Sequence, residues 1–140
     1  MLINVVIAVF IILITVGIHA GGMVLVLQNL QKYDEQHRSH RWQTHIYWVG
    51  GAILVMFIVS LLEVMVWAGA FLILNAVEGV EQALYFSMVT FTTLGYGDVT
   101  LDEGWRLLAS FEAANGIIMF GWTTAIVIAV VQRVYSSDKK

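Results

Sequence analysis

The run Thr92-Thr93-Leu94-Gly95-Tyr96-Gly97-Asp98 is the part of this 140-residue chain where residue type and spacing come nearest to chemistry. Its glycines stand at alternate positions, 95 and 97, where a backbone without a Cβ takes φ values that other residues avoid. Such alternation lets successive carbonyl oxygens point to one side. Several such rows of oxygens around one axis replace the water shell of a dehydrated cation. This is coordination chemistry, with no bond made or broken. No phosphate-cradling glycine loop, no nucleophile beside a base and no zinc-binding helix accompanies it. Neither an enzyme nor a cofactor is expected, and nothing points to a nucleic-acid partner.

The elements that position this run are apolar. Residues of apolar type make up 59% of the chain and charged ones 12%, against roughly 25% charged in an ordinary soluble domain. The mean hydropathy is +0.81. A membrane protein follows, with membrane lipids as its surroundings. Cysteine is absent, which excludes disulfides and thiolate metal sites, and proline is absent too. No polar run is long enough to fold into a solvent-facing domain. The expected fold class is all-α: three transmembrane helices per chain with a re-entrant short helix and loop. Residues 1–30 form a first spanning helix, since an apolar run of about 20 residues crosses a bilayer. A cleaved signal peptide is the competing reading, but the run is too long and has no basic start. Residues 31–45 form a polar connector. Residues 46–132 hold an outer helix at 46–74, a short helix at 80–92, the loop at 93–97 and an inner helix at 105–131, and 133–140 are a tail. The helix at 80–92 is too short to cross, so it must re-enter where irregular backbone lines a cavity or lies within protein.

Charge placement gives an orientation. Lys32, Arg38 and Arg41 lie in the connector, and Arg133, Lys139 and Lys140 in the tail. The stretch from Asn75 to Trp105 has no basic residue, but holds Glu78, Glu81, Asp98, Asp102 and Glu103. By the positive-inside rule, connector and tail are cytoplasmic, and the Gly97 end of the loop and the N-terminus face out. The cell (plasma or inner) membrane is the expected location. The first helix carries no arginine repeat, so it is not a voltage sensor of the charged kind.

The residues TTLGYGD, between two spans and behind a short helix, resemble the selectivity filter of potassium channels. Over residues 48–132 the chain is similar to the pore family of the two-helix-plus-pore-loop type, with one extra N-terminal transmembrane helix. The resemblance implies a homotetramer that binds K+ through the carbonyls of Thr93, Leu94, Gly95 and Tyr96 and the Thr93 hydroxyl, with Gly97 closing the filter. K+ is then the permeant ion rather than a cofactor. The resemblance also implies that Tyr85 bonds Asp98 and braces the filter. On the inner helix it makes Gly116 a hinge candidate, and makes Ile117, Phe120, Thr124 and Ile128 the lining of cavity and gate. For Gly116 and Gly121 the alternative is close helix packing by small residues.

Polar residues inside the spans are functional candidates because they are costly there. Counting about 1.5 Å per residue from each helix end places Glu63 and Glu112 in the outer half of the bilayer, near Ser87 and Thr90. They support the filter from behind or act as static glue between helices. The same count puts His19 toward the cytoplasmic end of the first helix, out of reach of Glu63. His19 is expected to bond a neighbouring helix, with proton sensing as the alternative. His37, His40 and His45 are a solvated cluster or a divalent-metal site, without acid or thiol partners at ligand spacing. The readings that follow are a potassium-selective channel, a nonselective cation channel on the same scaffold, or a non-conducting regulatory membrane subunit.

Overall fold

The computed structural model describes residues 2–36 and 42–137, and these residues are helical apart from short turns and the loop segments. Helix α1 is Leu2–Gln36, α2 Trp42–Ile73, α3 Val80–Phe91 and α4 Arg106–Ser137. Among the described residues, three stretches are long and apolar enough to cross a membrane: Leu2–Leu30, Ile46–Ile73 and Arg106–Val134.

Helical structure runs further than hydropathy does. The polar connector expected at 31–45 continues α1 to Gln36 and begins α2 at Trp42. No glycine or proline lies between Met23 and Val49 to stop a helix, and Gln, Leu, Lys and Glu are good helix formers. Helix α4 likewise runs on past Val131. The histidine cluster lies outside the described residues, save that the backbone of His45 belongs to α2.

Helix α2 ends in a Schellman turn. Asn75 takes φ 51°, its N–H donates to Leu72 O at 3.0 Å, and the Ala76 N–H donates to Phe71 O at 2.9 Å. This satisfies carbonyls that the end of a helix leaves open, with Asn tolerating the left-handed conformation. Gly79, at φ 86°, then starts α3 and accepts the Ala83 N–H. At 12 residues, α3 is about 18 Å long, too short to span.

Helices α1 and α4 run parallel: the Asn4 amide donates to Gly104 O, and Asn115 Nδ2 donates to Thr15 Oγ1 at 3.0 Å. Helix α2 is antiparallel to α1, with His19 against Glu63 and Gly22 against Val59. Helix α1 lies along both α2 and α4, as does α3, while α1 and α3 do not meet among the described residues. The extra helix therefore lies in the groove between α2 and α4. Apolar packing forms two clusters. One joins Ala8, Trp67, Phe71, Phe86, Phe91 and Leu108 at the α3 end. The other joins Val26, Met56, Val59, Val130 and Val134 at the far end. On α1 and α2, Thr15, His19, Ser60 and Glu63 fall between them, all buried.

Candidate ion-coordinating site

Helix α3 and the loop after it form one hydrogen-bonded unit. Met88 O accepts both the Thr92 N–H and the Thr92 hydroxyl, at 3.1 and 2.7 Å. The Thr93 N–H donates to Thr90 O at 2.9 Å, half of a Schellman turn. The other half arrives late, from the Gly95 N–H to Val89 O at 3.1 Å. The last carbonyls of α3 are thus closed by the strand that follows them. Thr93 caps the turn at φ 59°, a left-handed conformation that is a genuine outlier for a β-branched side chain.

The left-handed positions alternate along the strand. Thr93, Gly95 and Gly97 have φ of 59°, 52° and 80°, while Leu94 and Tyr96 between them have negative φ. That alternation is the conformation in which neighbouring peptide carbonyls can share a side. Backbone strain at the one non-glycine member costs on the order of 1–3 kcal/mol and is typical of functional sites. Every residue from Thr92 to Asp98 is exposed in the single chain, including Leu94 at 54% and Tyr96 at 68%.

The helix end that leads into that backbone packs partway along an apolar, span-length helix. An ideal Cβ on Gly116 would stand 2.0 Å from Phe91 O, so the end of α3 rests on the inner helix at Gly116. Gly116 is 10 residues into α4, or about 15 Å along the span. Irregular backbone at such depth is tolerated only where it is buried in protein or lines a water-filled path.

Beyond the strand, the Tyr85 hydroxyl donates to Asp98 Oδ2 at 2.6 Å, and the Val99 N–H donates to Asp98 Oδ1 at 3.1 Å. The Tyr85 hydroxyl holds the Asp98 carboxyl below the usual carboxylate range, and the same bond raises the Tyr85 hydroxyl above its ordinary value. Both groups are exposed in the single chain.

Behind α3, the Ser87 hydroxyl contacts Val64 O at 2.9 Å and a carboxylate oxygen of Glu112. One hydroxyl has one proton for two neighbours, so both contacts are hydrogen bonds only when Glu112 carries a proton of its own. Phe71 packs edge-on against Phe86 at 5.2 Å, and Phe91 against Phe120 at 5.7 Å, fixing α3 between α2 and α4.

His19 departs from the depth count. Its Nδ1 lies 2.9 Å from Glu63 Oε1, both side chains fully buried, and its ring packs against Trp122 with centroids 5.8 Å apart. The count placed His19 too near the cytoplasmic side because it took the ends of the apolar runs as lipid boundaries. Register is set by packing instead: Gly22 lets α1 approach Val59 so closely that a Cβ would meet its Cγ2 at 2.5 Å. Glu63 therefore turns to α1, while the carbonyl of the next residue, Val64, accepts from Ser87 on α3.

Of the five inner-helix candidates, Ile117, Phe120, Thr124 and Ile128 lie on exposed positions and Gly116 is buried beneath Phe91. Helix α4 is continuous through Gly116, and the missing Cβ there makes room for Phe91 O. Gly121 has nothing within 4 Å of where a Cβ would sit. Asn4, Thr15 and Asn115 were not among the residues expected to matter. The signal was their register: 4, 15 and 19 share one face of an otherwise apolar helix, and in lipid polar residues mark the face turned to protein. Several buried polar atoms, His19 Nε2, Glu63 Oε2, Trp67 Nε1, Glu112 Oε2 and Asn115 Oδ1, have no partner among the described residues.

In comparisons with known proteins, a family model described as "Ion channel" matches residues 57–133, more than half of the chain. The match takes in the second half of α2, all of α3 and the loop after it, and most of α4. No characterised protein and no solved structure gave a significant match.

Proposed function

The chain belongs to the ion channel family, and we propose that it is a potassium-selective member, passing K+ passively through a homotetrameric pore. The observation that carries this is the alternation of left-handed φ at Thr93, Gly95 and Gly97 on a strand exposed at membrane depth. A lone subunit leaves that strand without the protein it needs around it. A closed ring of identical chains supplies it with the least machinery. Four strands bring the carbonyls of Thr93, Leu94, Gly95 and Tyr96, with the Thr93 hydroxyl, to one axis, where their oxygens replace the hydration of K+ better than that of the smaller Na+. Gly97 ends the row, and Asp98 sits at its mouth.

The remaining parts follow from electrostatics and packing. The C-terminal end of α3 points its partial negative charge toward the cavity, and four such ends favour a cation in the middle of the membrane. Ile117, Phe120, Thr124 and Ile128 line the cavity and inner mouth. Tyr85 braces Asp98, and Glu112 holds α3 through Ser87. The filter mouth and the N-terminus face outward, with the C-terminus cytoplasmic, as the placement of basic residues requires. Helix α1 starts level with Gly104, at the filter-mouth end of α4, which supports that arrangement.

The purified protein in liposomes, with potassium inside and sodium outside, tests the reading. Sustained potassium efflux with sodium held out is expected. Equal movement of both cations would make it a nonselective channel, and no flux from a correctly assembled protein would make it a non-conducting subunit.

A further inference from the structure

The buried polar contacts close into a ring around all four helices. Thr15 on α1 accepts from Asn115 on α4 at 3.0 Å. One turn away on α4, Glu112 meets Ser87 on α3. Ser87 donates to Val64 O on α2 at 2.9 Å. Beside Val64, Glu63 pairs with His19 at 2.9 Å, one turn from Thr15 on α1, where the circuit began. The side chains of Thr15, His19, Glu63, Ser87 and Glu112 are 0% exposed and Asn115 is 1% exposed. The aromatic contact of His19 with Trp122 adds a second tie from α1 to α4.

We propose that the extra helix α1 holds the filter in register through this ring, with Thr15 and His19 as positioning residues for ion conduction. Among the described residues the backbones of α1 and α3 do not come close and no hydrogen bond joins the two, so the polar influence of α1 on α3 passes through a neighbour, and the ring offers two routes. One runs through Asn115 and Glu112 on the inner helix, the other through Glu63 and Val64 on the outer helix. Both end on Ser87, in the helix whose last carbonyls hold the strand: Val89 O accepts the Gly95 N–H. The cost of buried polar groups in lipid favours keeping every joint closed, since an opened joint leaves its groups with no water to turn to. A helix that served only to anchor the chain would need none of these side chains. The consequence for conduction rests on the reading of residues 93–97 as a filter, while the ring itself does not.

The test is a double-mutant cycle in the full-length protein in liposomes, read as hydrogen exchange of the Gly95 amide. His19→Ala and Ser87→Ala are each expected to speed exchange by about threefold or more, the equivalent of one average membrane-buried hydrogen bond. In a ring, opening a second joint adds little, so the double variant should exchange about as fast as the faster single one. His19→Asn, whose amide nitrogen can stand where Nδ1 does, should restore the slow rate. Where His19→Ala fails to assemble, Thr15→Val takes its place in the cycle, because it removes only the oxygen that Asn115 bonds. Effects that multiply to within about twofold would mark independent sites and overturn the proposal, as would an α1 variant that leaves Gly95 exchange unchanged. Sodium leak through the wild-type protein would sink the potassium reading, and the exchange cycle would still decide the ring.

Discussion

Replacing Gly116 by alanine separates two roles with opposite signs. A hinge glycine in a helix would gain about 1 kcal/mol of helix stability from alanine and lose flexibility. A packing glycine would clash. The added Cβ would lie 2.0 Å from Phe91 O, 2.9 Å from its carbonyl carbon and 3.3 Å from its Cα, where ordinary contact begins at 3.4 Å. The neighbour is backbone, so no side chain can swing aside. The carbonyl must retreat by about 1.4 Å, and overpacking of this kind costs roughly 1–3 kcal/mol. An approach of 2.0 Å to backbone belongs in the upper part of that range, about 2–3 kcal/mol, so after the propensity gain of about 1 kcal/mol the net loss is about 1–2 kcal/mol. The displaced atom belongs to the last residue of α3, two residues before Thr93, so selectivity should fall with stability. Thermal unfolding of the purified protein, paired with potassium and sodium flux, reads both effects. Gly121→Ala, which meets nothing within 4 Å, serves as the control. A Gly116→Ala protein as stable as the wild type, with selectivity intact, would refute the reasoning.

Other expectations follow from single contacts. Asp98, held low by Tyr85, contributes its hydrogen-bonded stability above the ordinary aspartate range and loses it as pH falls through the lowered value. Tyr85→Phe should therefore move the acid-side loss of flux to higher pH, and an unmoved midpoint would remove the brace. Glu112→Gln keeps a partner for Ser87, whereas Glu112→Ala leaves the hydroxyl with Val64 O alone and opens a cavity. The alanine variant should lose about 2 kcal/mol or more in thermal or denaturant unfolding, the glutamine variant markedly less. Asn75→Val forces a β-branched residue to φ 51° and should cost about 1–2 kcal/mol, while Asn75→Gly should be tolerated, as a melting comparison would show.

The order and kind of elements could be read directly, because apolar length and a short amphipathic run leave few alternatives in a bilayer. The left-handed backbone at Gly95 and Gly97 was legible too, since alternate glycines report a backbone demand that no side-chain packing hides, whereas that at Thr93 was not. Helix ends were less so. Hydropathy marks where lipid stops, while α1 and α2 continue as helices through polar residues that favour helix as well as any apolar ones. Sequence and structure differ most at His19. Depth along one helix was read from its own apolar ends, whereas its partner was decided by Gly22 closing on Val59, a contact between residues 37 apart in sequence. Gly116 was ambiguous for a similar reason: small residues look alike until the atom that needs the space, here Phe91 O, is in place. Helices apolar all round also conceal which face meets protein, and only the register of their few polar residues betrays it.

The most direct measurement is the reversal potential of current through the reconstituted protein in a planar bilayer, with potassium on one side and an equal concentration of sodium on the other. Carbonyl coordination by Thr93, Leu94, Gly95 and Tyr96 predicts a reversal far from zero, with the sign of potassium moving alone. A reversal near zero would show that both cations pass alike and would contradict the account.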